Sequence, residues 1–169
     1  MAFGLTPAGT ITKEQTRLSI RRFPAAASFN ILKGDVCFQD TAGFLEQAKS
    51  TTAAGSEWFV AVEPGNNSSG ISGAISVPVA VKGHYVTVVA DGVIQPGTPV
   101  KVSASTNGRV VAMVTGTDAE GLKVGIYTGL EGGTISKSGS SPYLESFTDG
   151  ADFLPTASST GSIIEILLR

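Results

Sequence analysis

The sequence predicts an all-β protein, a small β-barrel or sandwich built from hairpins, and three observations carry that expectation. Short apolar and β-branched runs recur between turn residues, as in Tyr85-Val86-Thr87-Val88-Val89 followed by Asp91-Gly92. A hairpin-like unit occurs twice in variant form, from Ile31 to Ala48 and from Ile94 to Ala112. Each copy has an apolar residue, two spacers, a turn glycine (Gly34 or Gly97), a short strand, a second turn glycine (Gly43 or Gly108) and a returning strand. Finally, charged residues make up 15% of the 169 while glycine numbers 21. That balance is too apolar for a disordered chain and too punctuated for a helical one.

Taken in order, residues 1–29 read as an extended N-terminal arm. Thr10-Ile11-Thr12 and Leu18-Ser19-Ile20 alternate briefly, which suits a strand added to a sheet. Phe23-Pro24 ends the pattern, because proline lacks the N–H that a central ladder needs. Fully extended, the arm reaches on the order of 90 Å, at about 3.3 Å per residue. It can therefore bridge to a neighbouring molecule, or pack back on its own body as a first strand. On the bridging reading, deletion of residues 1–28 weakens assembly and leaves the body folded.

Residues 30–169 form the β-barrel or sandwich domain. After the first hairpin unit comes the compact apolar strand Trp58-Phe59-Val60-Ala61-Val62, closed by Glu63-Pro64-Gly65. Ala74 to Val81 and Tyr85 to Ala90 flank the turn Lys82-Gly83-His84. The second hairpin unit and Lys123 to Thr128 follow. Residues 129–160 lack periodicity and read as a loose insertion, a long C-terminal loop of the functional or partner-ordered kind. Ser162-Ile163-Ile164-Glu165-Ile166-Leu167-Leu168 then reads as a buried last strand. Helix is expected only at Glu46 to Ala54 or near 142–146.

Charge divides unevenly. Residues 1–34 hold Lys13, Arg17, Arg21, Arg22 and Lys33 against Glu14, about +4; the remaining 7 basic and 13 acidic groups give about −6, and the two parts make the net −2. A basic arm on an acidic body can dock on an acidic partner, including a neighbouring copy. It can equally be a solvated tail. Arg17, Arg21 and Arg22 are the candidate partner-binding residues.

Chemistry is sparse. Cys37 is the single cysteine, so no intrachain disulfide forms, and its strand context predicts a buried thiol. His84 is the single histidine, set in a turn with no Gly-x-Ser-x-Gly elbow anywhere, and a solvated turn residue is expected. One His and one Cys cannot build a zinc site. Asp118-Ala119-Glu120 and Asp149-Gly150-Ala151-Asp152 lack the repeated oxygen ligands of a calcium loop and read as turns. Gly133-Thr134-Ile135-Ser136-Lys137-Ser138 lacks a glycine before its lysine and a following helix, so it reads as a loop. Trp58, Phe59, Tyr85 and Tyr127 fall in apolar strand contexts, which argues for core packing over base stacking. The expectations are no enzyme, no cofactor, no metal and no nucleic acid. Asn66-Asn67-Ser68 and Asn67-Ser68-Ser69 match the glycosylation sequon, which matters only in a eukaryotic secretory route. No basic-then-apolar leader and no stretch of membrane-spanning length is seen, so a soluble product made in the cytoplasm is expected, with no membrane partner.

Val93 to Val100, Asn107-Gly108-Arg109-Val110-Val111, Val124-Gly125-Ile126-Tyr127 and the terminal Gly161 to Leu168 together resemble tailed-phage capsid decoration (cement) proteins. The resemblance covers residues 30–128 and 160–169. It implies a non-enzymatic virion protein on the outer capsid surface, commonly a homotrimer, that bridges subunits of the major capsid protein. The long arm and the 129–160 segment depart from the shorter cement pattern. Other phage head or tail components and a carbohydrate- or ligand-binding β module are the alternatives.

Overall fold

The computed structural model describes residues 8–9, 11–13, 20–52, 56–134 and 157–169, with the backbone alone at 11–13 and 130–134. In chain order its strands are β1 Ile11–Lys13, β2 Arg21–Pro24, β3 Asn30–Ile31, β4 Val36–Gln39, β5 Leu45–Gln47, β6 Phe59–Ala61 and β7 Gly65–Asn66. There follow β8 Ser76–Ala80, β9 Tyr85–Val89, β10 Pro99–Val102, β11 Val110–Ala112, β12 Gly125–Thr134 and β13 Ser162–Leu168, with one turn of 3-10 helix at Glu120–Leu122.

The strands form a six-stranded sheet ordered β1-β9-β13-β12-β10-β11, a five-stranded sheet ordered β2-β8-β6-β4-β5, and the pair β3-β7. Pairing within them is antiparallel. The all-β expectation holds, and of its two forms the sandwich fits. Among the described residues no barrel closes; single parallel bridges join Ala25, just after β2, to Leu45 of β5, and Ala90, just after β9, to Val110 of β11.

Both repeat units are hairpins, β4-β5 and β10-β11, and each belongs to a different sheet. They interlock at one glycine. The Val36 N–H donates to the Gly108 carbonyl at 2.8 Å, and the Gly108 N–H donates to the Ala48 carbonyl at 2.9 Å. Gly108 has φ +73°, and a Cβ there would lie 2.6 Å from the Asp35 Oδ1. The Asp35 carboxylate is itself fixed, accepting from the Leu32 N–H at 2.7 Å and the Gln47 Nε2 at 2.6 Å. Only glycine supplies both the left-handed backbone and the space.

Apolar burial explains the layering. Val36, Val60 and Ala80 of the five-stranded sheet join Val86, Val88, Val100, Tyr127, Ile164, Ile166 and Leu168 of the six-stranded sheet in one core. The alternate residues Cys37, Leu45, Phe59, Ala61, Val77 and Val79 face the other way and pack with Ala25 and Ile31. The five-stranded sheet is thus buried on both faces, which is why β6 and most of β8 read as unbroken apolar runs. The Cys37 thiol, fully buried, is pushed up in pKa by burial and then by the nearby Asp35. It is expected to resist alkylation by iodoacetamide in the native protein and to react once urea unfolds it. Rapid native labelling, read by mass spectrometry, would contradict this packing.

Part of the first 29 residues is built into the body. β1 pairs with β9, and β2 is the outer strand of the five-stranded sheet beside β8. The Gly9 N–H donates to the Thr87 carbonyl at 2.7 Å, and Ala25 is wholly buried. Pro24 is tolerated because β2 is an edge. Deleting residues 1–28 therefore removes two strands and the buried Ala8, Ala25 and Ala26, so the expectation that the body survives that deletion is withdrawn.

Two further expectations change. Leu45–Gln47 is strand, not helix, because its residues pair in register with Gln39, Phe38 and Cys37; a turn from Lys49 to Thr52 follows, and 53–54 lie outside the described residues. β12 continues to Thr134, five residues beyond Gly129, where the loose segment was expected to begin. Gly129 at φ +95° and two register shifts against β13 let this glycine-rich stretch curl while staying paired. Residues 135–156, with the short helix considered near 142–146, lie outside the described residues. The chain re-enters at Ser158, whose N–H donates to the Ile94 carbonyl and whose Oγ donates to Gly92.

Candidate functional site

Of the three candidate arginines, Arg17 lies outside the described residues, while Arg21 and Arg22 are adjacent on β2 and both exposed. Strand alternation sends them to opposite faces. Arg22 Nη2 lies 3.9 Å from Glu63 Oε2, with side chains 62% and 64% exposed. An ion pair so open to water contributes little.

Arg21 points to the more structured place. It stands opposite Val79 on β8, and Phe23, on the same face, stands opposite Val77. Across the sheet, Val60 pairs with Ala80, and Cys37 pairs with Phe59. These registers bring the start of β2, the end of β4, the start of β6 and the end of β8 to one mouth of the five-stranded sheet. There a cleft of about 340 Å³ is lined by Arg21, Phe23, Gln39, Glu57, Phe59, Val81 and Lys82. Its floor holds the Phe23 and Phe59 rings, 4.9 Å apart between centroids and tilted by 51°.

A second cleft, about 350 Å³, lies between Lys49–Thr52 and the second hairpin, against Trp58 and Leu122. Its Lys101 is already committed, donating to Asp118 Oδ1 at 2.5 Å, while the Val114 N–H donates to Oδ2 at 2.7 Å. Lys101, chiefly, and that N–H hold the Asp118 carboxyl below its ordinary pKa. A lowered carboxylate pKa stabilises the fold at pH values above the ordinary range and loses that contribution as pH falls through the folded value. Lys101→Met is expected to move the Asp118 carboxyl titration, followed by NMR, back up toward the ordinary value. An unmoved titration would contradict the pairing.

His84 corrects an expectation. It is fully buried rather than solvated, because the Gly83 N–H donates to the Leu168 carbonyl and the Leu168 N–H donates to the His84 carbonyl, folding the turn onto the end of β13. Its Nδ1 lies 2.9 Å from the Val81 carbonyl, and Nε2 has no hydrogen-bond partner among the described residues. Asn67 is also closed, being 1% exposed with its Nδ2 donating to the Ala26 and Ile71 carbonyls; of the two sequon asparagines only Asn66 is exposed. Asp118 and Glu120 have separate roles, Glu120 pairing with Lys123 at 3.6 Å. No group of three His, Cys, Asp or Glu that could hold a metal occurs among the described residues. Residues 149–152, and 135–138 of the loop beginning at Gly133, lie outside them. Among the aromatics, Trp58, Phe59 and Tyr127 are core residues and Tyr85 is half-buried. No helix among the described residues is long and apolar enough to cross a membrane.

The cleft residues Gln39, Glu57 and Lys82 were not singled out from sequence. Alternation alone puts Arg21 with Phe23, but only the order β2-β8-β6-β4 brings residues so distant in the chain to one mouth. No family model, curated protein or solved structure matches the chain.

Proposed function

We propose that the protein is a structural component of a virion that binds the outer surface of a tailed-phage capsid and stabilises it by bridging neighbouring subunits of the major capsid protein, with a homotrimer as its working form. The observation that carries this reading is β2, an exposed edge strand bearing Arg21 and Arg22 on a body whose remaining charge is acidic. Such an edge offers backbone pairing and positive charge together, the two means by which an extended segment of a neighbour is held. Repeated attachment around a shell multiplies modest single contacts. The resemblance of the hairpin units to decoration proteins supports the same reading.

Co-sedimentation with expanded capsids tests it. The purified protein is expected to pellet with the shells and to dissociate as salt is raised, because exposed charge pairs are screened. Failure to pellet at low salt would refute the proposal.

A further inference from the structure

We propose that the mouth of the five-stranded sheet is a socket for an acidic, extended peptide segment of a partner protein, one that inserts an aromatic or branched apolar side chain between flanking carboxylates. The inference deepens the capsid-binding reading: under it, the segment belongs to the capsid protein. Three observations converge on this occupant.

The first is shape. The cleft of about 340 Å³ falls at the lower end of ligand pockets, which run from about 300 to 1,000 Å³, and it sits at the ends of β2, β4, β6 and β8. Its floor of Phe23, Phe59 and Val81 is apolar, and Phe23 and Val81 are only partly buried. An inserted ring would complete their burial and meet two aromatic faces.

The second is charge. The rim carries two cations, Arg21 and Lys82, against one anion, Glu57, and all three are exposed. Among the described residues, the ion pairs formed are Arg22 with Glu63, Lys101 with Asp118 and Lys123 with Glu120, so neither rim cation is held by a carboxylate. Arg21 offers a planar fork that suits bidentate carboxylate recognition.

The third is the backbone. The Pro78 carbonyl accepts from the Val62 N–H at 3.1 Å, so Pro78 faces β6 and turns its back on β2. Arg22, which stands opposite Pro78, is therefore in a non-hydrogen-bonded pair, and its own N–H and C=O point outward from the sheet. Farther along the same edge Pro24 has no N–H and the Ala26 N–H already donates to the Leu45 carbonyl at 3.0 Å, so a peptide is held by backbone pairing at Arg22, beside the mouth, while its side chain turns into it.

The test uses the full-length protein, isotope-labelled for NMR, and the synthetic peptide acetyl-Asp-Glu-Phe-Asp-Glu-amide. Saturable shifts are expected at Arg21, Phe23, Phe59 and Lys82. Apparent affinity is expected to fall at least tenfold in Arg21→Glu/Lys82→Glu, and likewise when the peptide's Phe is replaced by Ser. Both substituted side chains are exposed, and the variant's unfolding midpoint should match that of the parent. No shifts, shifts elsewhere, or an affinity unchanged by the charge reversal would overturn the socket. Concentration-dependent self-association lost in the same variant would assign the mouth to a second copy of the chain and also overturn it. Capsid co-sedimentation separates the two proposals. A parent and variant that pellet equally leave the capsid reading standing and remove the socket. A parent that binds the peptide at the mouth but never pellets keeps the socket and removes the capsid reading.

Discussion

Tyr127→Ala is expected to lower the free energy of unfolding by about 3–5 kcal/mol, the range for truncating a large buried aromatic. Tyr127 is wholly buried and sits in the core that both large sheets share, against Val and Ile side chains of β9 and β13. The cavity would have rigid walls, because β12 and β13 pair over most of the length of β13 and cannot collapse independently. Against a typical total stability of about 5–15 kcal/mol, such a loss leaves a marginal fold. Urea denaturation should show a large fall in midpoint with little change in slope. Tyr127→Phe keeps the ring and should cost far less. A cost below about 1 kcal/mol for the alanine variant would mean that the two sheets do not share this core.

Gly34→Val comes next in size, at about 2 kcal/mol or more. Gly34 has φ +85°, which a β-branched residue adopts only under strain of about 1–3 kcal/mol. A Cβ there would also lie 2.4 Å from the Ala8 Cβ and 3.0 Å from the Gly9 nitrogen. Gly9 is pinned in turn, since a Cβ on it would lie 2.4 Å from the Ala61 carbonyl oxygen. The substitution thus both strains a turn and pushes the N-terminal segment off the body. Gly43→Ala separates the two effects. It shares the left-handed backbone, at φ +88°, but meets nothing within 4 Å, so only the backbone penalty of about 1 kcal/mol remains. Equal costs at the two glycines would show that the Ala8–Gly9 contact contributes nothing; limited proteolysis of the N-terminal segment gives an independent check.

Local pattern carried most of the strands. Tyr85–Val89, Trp58–Val62 and the terminal Ser162–Leu168 are legible because β-branched and apolar residues cluster between turn signals. The repeat was legible too, since its glycines occupy true left-handed turns: Gly34, Gly43, Gly97 and Gly108 all have positive φ. What local pattern could not supply was partner choice. Nothing in Ile31 to Ala48 or Ile94 to Ala112 says that the two hairpins enter different sheets and lock at Gly108. The burial of His84 depends on Leu168 of β13, 84 residues away, bonding back to the turn. The strand at Leu45–Gln47 depends on β4 beside it, whose pairing outweighs the helical propensity of Glu46 and Gln47. Similarly, Arg21 was legible as a charge and as part of a basic segment, but its cleft exists only through the ladder that sets Gln39, Glu57 and Lys82 around it.

The central functional claim is attachment to the outside of a capsid, and imaging by cryo-electron microscopy tests it most directly. Particles incubated with the protein and washed should carry it in many copies on the outer surface, at sites shared between major capsid protein subunits, with β2 turned toward the shell. Washed particles with a bare outer surface, or with the protein confined to the tail or head-completion region, would contradict the account.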